Sequence, residues 1–286
     1  MSRGSLLRAL AADEPRIEEV ALAIAADAYP SLDVPRALAE LDAFAEPIVA
    51  RVSGASDSLA ALEILNVRLF DELGFHGNED SYYDPRNSYL NDVIERRVGI
   101  PISLAVVMIA VGRRAGLVLE GVGFPGHFLV RVGGADAIFA DPFHRGRVLF
   151  RDDLLRLAER FNAETPRGRP GDPVSRAKRR DVEALEVYLR PVDARAIAVR
   201  MLANLKHAYE RGGHSAPALV ICDRLVDVAG EPHHRRDRGR HALALGANRA
   251  ARVDLSAYLG ALPDAHDSDE IRALLAAATR NETRLN

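Results

Sequence analysis

Apolar residues recur at helical intervals through the first quarter of the chain. Ile17, Val20, Ala21 and Ile24 share one face, Leu38, Leu41 and Phe44 a second, and Leu59, Leu62, Ile64, Leu65 and Leu69 a third, which predicts three helices between Pro15 and about Phe70. Ser31 or Asp33 before Pro35 marks a helix start, because a first turn has no intrahelical bond for proline to remove. Gly74, Gly77 and Asn78 then end regular structure. Residues 75–91, FHGNEDSYYDPRNSYLN, read as a long loop with three tyrosines, a composition that lines clefts.

The pattern changes at Pro101. Ile102 to Ala115 is apolar almost all round, which places that helix inside a core with its free N–H groups and positive dipole end at Pro101. After Gly116, residues 117–123, 128–132 and 137–140 are short β-rich runs divided by Pro125-Gly126 and Gly133-Gly134, and predict adjacent antiparallel strands. The central unit is therefore a helix followed by a sheet. Residues 162–180 are rich in proline, glycine and arginine and mark a linker, taken here as 162–190 between a first domain at 1–161 and a second at 191–286.

From Asp193, a plausible N-cap, the helical period returns. Residues 195–262 match themselves at an offset of 34: Gly212 with Gly246, Ala216 with Ala250, Leu219 with Val253, Ile221 with Leu255, Leu225 with Leu259 and Val228 with Leu262. That period belongs to the tetratricopeptide helix pair. About two such units fit, with a last helix near Asp269 to Arg280 to cap the open apolar face.

Composition narrows the function. A net charge of −3 over 286 residues offers no field for a phosphate backbone, so nucleic acid is not expected as a partner. The longest apolar run, Leu104 to Val111, falls far short of the roughly 20 residues that cross a bilayer, and no membrane role is expected. Leu6 to Ala12 lacks the apolar core of a secretory signal, so the expected location is the cytoplasm, which the single cysteine also fits. No cofactor is called for, and oligomeric state has no signature here.

Three side chains of the central unit could carry chemistry: Ser103 near the helix start, His127 at the head of one strand and Asp141 at the end of the next. Neighbouring strands would let Asp141 orient the imidazole of His127. Gly126 admits backbone or ligand close to His127, and Pro142 fixes the chain after Asp141. Taken as bare residue types, the same pair serves equally as turn residues. Cys222 occupies a repeat core position and reads as a small hydrophobe. His233, His234 and His241 resemble a metal cluster by count, but Arg235, Arg236 and Arg238 among them oppose a cation.

The run NSYLNDVIERRVGIPISLAVVMIAVGRRAGLVLEGVGFPGHFLVRV, followed by FADPF and GRVL, resembles the SirB-type family of bacterial proteins, in which a transglutaminase-like domain precedes tetratricopeptide repeats. The resemblance implies an α+β fold: a papain- or transglutaminase-like core with a central helix on an antiparallel sheet, preceded by helices and followed by an all-α helical repeat module. It places His127 and Asp141 on the family's catalytic histidine and aspartate. The catalytic cysteine is missing, since its position falls at or next to Pro101, and the nearest hydroxyl is that of Ser103. If Pro101 holds that position, Ser103 is turned about 200° around the helix and points away from His127.

Three readings follow. In the first, the protein has no classical transglutaminase or cysteine protease activity and regulates or scaffolds, binding a protein or peptide in a cleft bounded by Tyr82, Tyr83, Asn87, Pro101, Gly126, His127 and Asp141 and another on the repeats. In the second, it is an amide or ester hydrolase or acyl transferase using Ser103, His127 and Asp141, with helix N–H groups stabilising the oxyanion. In the third, His127 and Asp141 only tie two strands together.

Overall fold

The structure is a computed structural model that describes residues 4–133, 137–164 and 181–284. The chain forms two compact units, one drawn from residues 9–82 and 86–197 and the other from 1–8, 83–85 and 198–286.

The chain begins with α1 (Gly4–Leu10). The first unit then runs through α2 (Ile17–Ala28), α3 (Val34–Ala45), α4 (Val49–Ser53) and α5 (Ser58–Asn66), the last continuing into a π-helical turn at Val67–Glu72. Asp33 caps α3 by accepting the amide of Arg36 at 3.0 Å, one of the two starts the sequence offered. The expected loop at 75–91 holds more order than its composition suggests. β1 (His76–Gly77) pairs in parallel with β2 (Val98–Gly99), and α6 (Leu90–Arg96) begins within the loop's last residues. Arg97 ends α6 at φ 62°, a left-handed conformation that costs an arginine about 1–2 kcal/mol. Its guanidinium stacks on Phe44 at 4.3 Å and Phe75 at 5.1 Å and pairs with Glu40 at 3.1 Å, contacts that offset the strain.

α7 (Pro101–Arg114) is the apolar helix, with every residue from Pro101 to Gly112 buried. At Gly112 a Cβ would collide with the side chains of Leu119 and Leu65, so this glycine lets the helix seat closely. The four-stranded antiparallel sheet has the order β3 (Leu119–Val122), β4 (Leu129–Val132), β5 (Ile138–Asp141), β6 (Arg147–Leu149). The fourth strand is absent from the sequence reading. At three residues between Gly146 and Phe150 it is too short to show alternation. α8 (Arg151–Glu164) and α9 (Asp181–Tyr188) follow. Leu154 and Leu185 join Val122, Phe124, Leu129, Phe139 and Leu149 in one apolar cluster. Helix thus enters both ends of the expected linker, because Leu185 gives α9 a core to bury against; positions 165–180 lie outside the described residues.

α10 (Ala194–Arg211) starts at the Asp193 cap, whose carboxylate accepts the Ala196 amide at 2.7 Å. α11 (Ser215–Val228), α12 (Pro232–Ala244), α13 (Asn248–Ala261) and α14 (Ser268–Arg284) complete two helix pairs and a final helix. The offset of 34 superimposes α11 on α13, and Ile271 and Ala278 of α14 bury against the second pair. α12, PHHRRDRGRHALA, has no apolar stripe. Ion pairs hold it: Arg238 binds both Asp254 oxygens at 2.7 Å and Asp223 at 2.6 Å, Asp237 pairs with Lys206 and Arg236, and Arg236 reaches Asp267 at 2.8 Å.

Candidate functional site

Asp141, at the end of β5, is almost fully buried, and its position there explains its contacts. One carboxylate oxygen, Oδ1, accepts the Phe143 amide at 3.0 Å and so caps the 3₁₀ turn Pro142–His144. In such a turn side chains three apart eclipse, which returns His144 to the same carboxylate with Nδ1 at 2.8 Å from Oδ2. The loop then closes through Arg145 at φ 56° and Gly146 at φ 69°, and the Gly146 amide donates to the Asp141 carbonyl at 2.9 Å. From the adjacent strand side, the turn Pro125-Gly126, with Gly126 at φ 71°, brings Nδ1 of His127 to 3.5 Å from Asp141 Oδ2. His144 is the closer of the two imidazoles.

Burial alone would raise the Asp141 carboxyl, but hydrogen bonding and charge from His127 and His144 outweigh it and hold the group below the usual carboxylate range. Ionised Asp141 then faces N–H on the Nδ1 side of the rings, which leaves Nε2 as the nitrogen for other chemistry. Beside these groups lies a cavity of about 450 Å³ walled by Pro125, Gly126, His127, Asp141, His144, Arg147, Leu149, Asp153, Arg156 and Leu157. Among the described residues, no wall residue is serine, threonine or cysteine.

The structure brings His127, Asp141 and Gly126 together and sets the other expected residues elsewhere. Ser103 is 0% exposed, and its hydroxyl donates towards Asn87 O at 2.6 Å or Ile100 O at 3.1 Å while accepting the Ile100 amide at 3.0 Å. It therefore serves backbone at the start of α7, and His127 is not among its partners. Pro101 is the first residue of α7, buried, with no donor or nucleophile to offer. Asn87, also 0% exposed, joins its own loop: its amide donates to Ser81 O at 2.8 Å and its oxygen accepts from Asn78 at 3.2 Å and Arg96 at 3.3 Å. Tyr82 meets Phe143 edge-on at 6.1 Å. Tyr83 groups with the repeat unit, its ring 5.2 Å from that of His207 and 4.2 Å from the Arg211 guanidinium. Tyr82, Tyr83, Asn87 and Pro101 do not line the cavity beside Asp141.

His144 escaped the sequence reading. Its signal was the i, i+3 spacing from Asp141 across proline, DPFH, which makes a site only if those residues form a 3₁₀ turn. In the repeats, Cys222 is buried and its thiol is pushed up to about 12 by desolvation, so it stays protonated as a core side chain. Among the described residues no group of acidic, histidine or cysteine side chains could hold a metal ion, and no helix is long and apolar enough to cross a membrane.

Comparison with known proteins agrees with this architecture. Residues 35–203 match the transglutaminase-like superfamily and residues 205–276 a tetratricopeptide repeat. A UPF0162 protein of Xylella fastidiosa is 41% identical over 89% of this chain and 87% of its own. The chain belongs to the UPF0162 family of transglutaminase-like proteins. This bears out the SirB-type resemblance and the α+β fold it implied. A second UPF0162 relative, from Pseudomonas aeruginosa, is 33% identical over 90% of this chain and 88% of its own. Human F-box only protein 21 is 40% identical over 97 residues, 31% of this chain and 15% of that protein. The crystal structure of menin, which reveals that protein's binding site for the Mixed Lineage Leukemia protein, aligns with a TM-score of 0.41 at 10% identity, covering 88% of this chain and 68% of menin. A likeness that loose carries no argument here. For this UPF0162 chain, the two matched segments support a protein-interaction scaffold at a coarse level.

Proposed function

We propose that this protein is a non-catalytic transglutaminase-like adaptor that binds a peptide at the pocket of His127, Asp141 and His144 and a second protein on its helical repeats. The observation that supports this reading is the pocket wall, which among the described residues carries two imidazoles on a buried carboxylate but no hydroxyl or thiol. Acyl transfer through a covalent intermediate needs an activated nucleophile within hydrogen-bond reach of the base. Ser103 has its hydroxyl engaged by backbone on every side that the geometry records. What remains beside the imidazoles is recognition chemistry.

Two assays on the full chain test this. Incubation with p-nitrophenyl acetate, and with a glutamine peptide plus a primary amine, should give no turnover that His127→Ala removes. Turnover abolished by both His127→Ala and Ser103→Ala would replace the adaptor with the serine hydrolase or transferase. Selection from a random peptide library should then yield peptides whose retention falls in His127→Ala. Retention unchanged in that variant would remove the pocket from the proposal.

A further inference from the structure

The cavity beside Asp141 holds more hydrogen-bond donors than acceptors. Its two carboxylates are engaged from within. Asp141 receives the Phe143 amide and His144, with His127 at 3.5 Å. Asp153 receives Arg147 at 3.0 Å and the Phe150 amide at 3.2 Å, with Arg156 at 3.7 Å. The donors are not used up in this way. A guanidinium carries several N–H groups in a planar fork, and the side chains of Arg147 and Arg156 are 63% and 68% exposed while sharing the single carboxylate of Asp153. With both ring nitrogens protonated, His144 donates through Nδ1 to Asp141 and keeps its Nε2–H as a further donor.

We infer that this pocket binds an oxyanion, the carboxylate or phosphate group of a ligand, with Arg147 and Arg156 as its clamp and His144 as a third contact. Paired guanidinium N–H groups match the spacing of two oxygens on either anion. Leu149 and Leu157 supply apolar wall for the stem that carries the charge, and about 450 Å³ accommodates a group the size of an amino acid. The inference rests on the reading of this cavity as a binding site and deepens it by naming the chemistry that the site takes.

Histidine ring-proton NMR of the full chain, titrated with sodium phosphate and separately with disodium succinate at constant ionic strength, tests it. The expected result is a saturable shift of the His144 signal with at least one anion and none with sodium chloride. The double variant Arg147→Gln/Arg156→Gln should weaken that binding by roughly tenfold or more, since hydrogen bonds to charged groups are involved. Arg145→Gln removes a charge exposed to 58% that pairs with Asp71 and should leave affinity unchanged. Tighter binding of phosphate assigns a phosphorylated ligand, and tighter binding of succinate a carboxylate. No saturable shift with either anion, or wild-type affinity in the double variant, overturns the inference. A library peptide retained through His127 while neither anion binds leaves the adaptor standing without it. Anion binding with no peptide retained does the reverse.

Discussion

Two helices, α7 and α12, hold their units together by opposite means. α7 is buried from Pro101 to Gly112 among apolar neighbours, and its one polar side chain there, Ser103, turns back onto backbone. α12 buries His234, Asp237, Gly239 and Ala242, and is fixed by charges from four directions: Lys206 of α10, Asp223 of α11, Asp254 of α13 and Asp267 before α14. Apolar burial is non-directional and tolerates exchange of similar shapes. Buried ion pairs are directional, and losing one partner strands the other. The first unit should therefore fail by loss of volume and the second by loss of a partner.

Stranding a charge should give the largest effect. Asp254→Ala leaves the Arg238 fork without its bidentate acceptor, and urea denaturation should show the repeat unit losing roughly 3–5 kcal/mol. A loss below about 1 kcal/mol, the range of surface pairs, would end the contrast between the helices. Next comes Ile109→Ala in α7, expected to destabilise the first unit by about 2–5 kcal/mol through lost burial and a cavity.

Ser103→Ala should cost less, about 1–3 kcal/mol, because it leaves the buried Ile100 amide without its acceptor. It should leave phosphate or succinate binding unchanged; altered binding would mean that Ser103 reaches the pocket after all. The smallest effect is one of pH. Burial raises the Asp237 carboxyl, but Lys206 and Arg236 outweigh it and keep the group below its ordinary 3.8. A depressed folded value stabilises above the unfolded one, and this contribution fades as pH falls through the folded value. Asp237→Asn should thus be less stable than the parent at pH 7, with the gap narrowing below about pH 4. A gap constant down to pH 3 would show that the carboxylate charge contributes nothing.

The same contrast explains what was legible. Periodic apolar residues announced α2, α3 and α7, and Gly133 and Pro125-Gly126 separated strands close to where they lie. The match of Ile221 with Leu255 exposed the repeat, because both fill equivalent buried places on α11 and α13. The pairing of Arg238 with Asp223 and Asp254 left no periodic trace, since its two partners come from two other helices. At the site, His127 and Asp141 were visible as residue types on neighbouring strands. Ser103 was visible too, but position along a helix does not reveal that Asn87 O and Ile100 O claim its hydroxyl. His144 depends on a backbone turn that its own aspartate caps, so the spacing in DPFH points to a site only once that turn is known.

That turn is latched at both ends by one residue: the Asp141 side chain holds the Phe143 amide, and its carbonyl holds the Gly146 amide. The ring so closed has a fixed circumference. One residue added or removed between Asp141 and Gly146 would break the eclipsed i, i+3 geometry and carry the second imidazole away from the carboxylate. In most surface connections length is the quantity free to drift; here length is what the site requires to stay fixed.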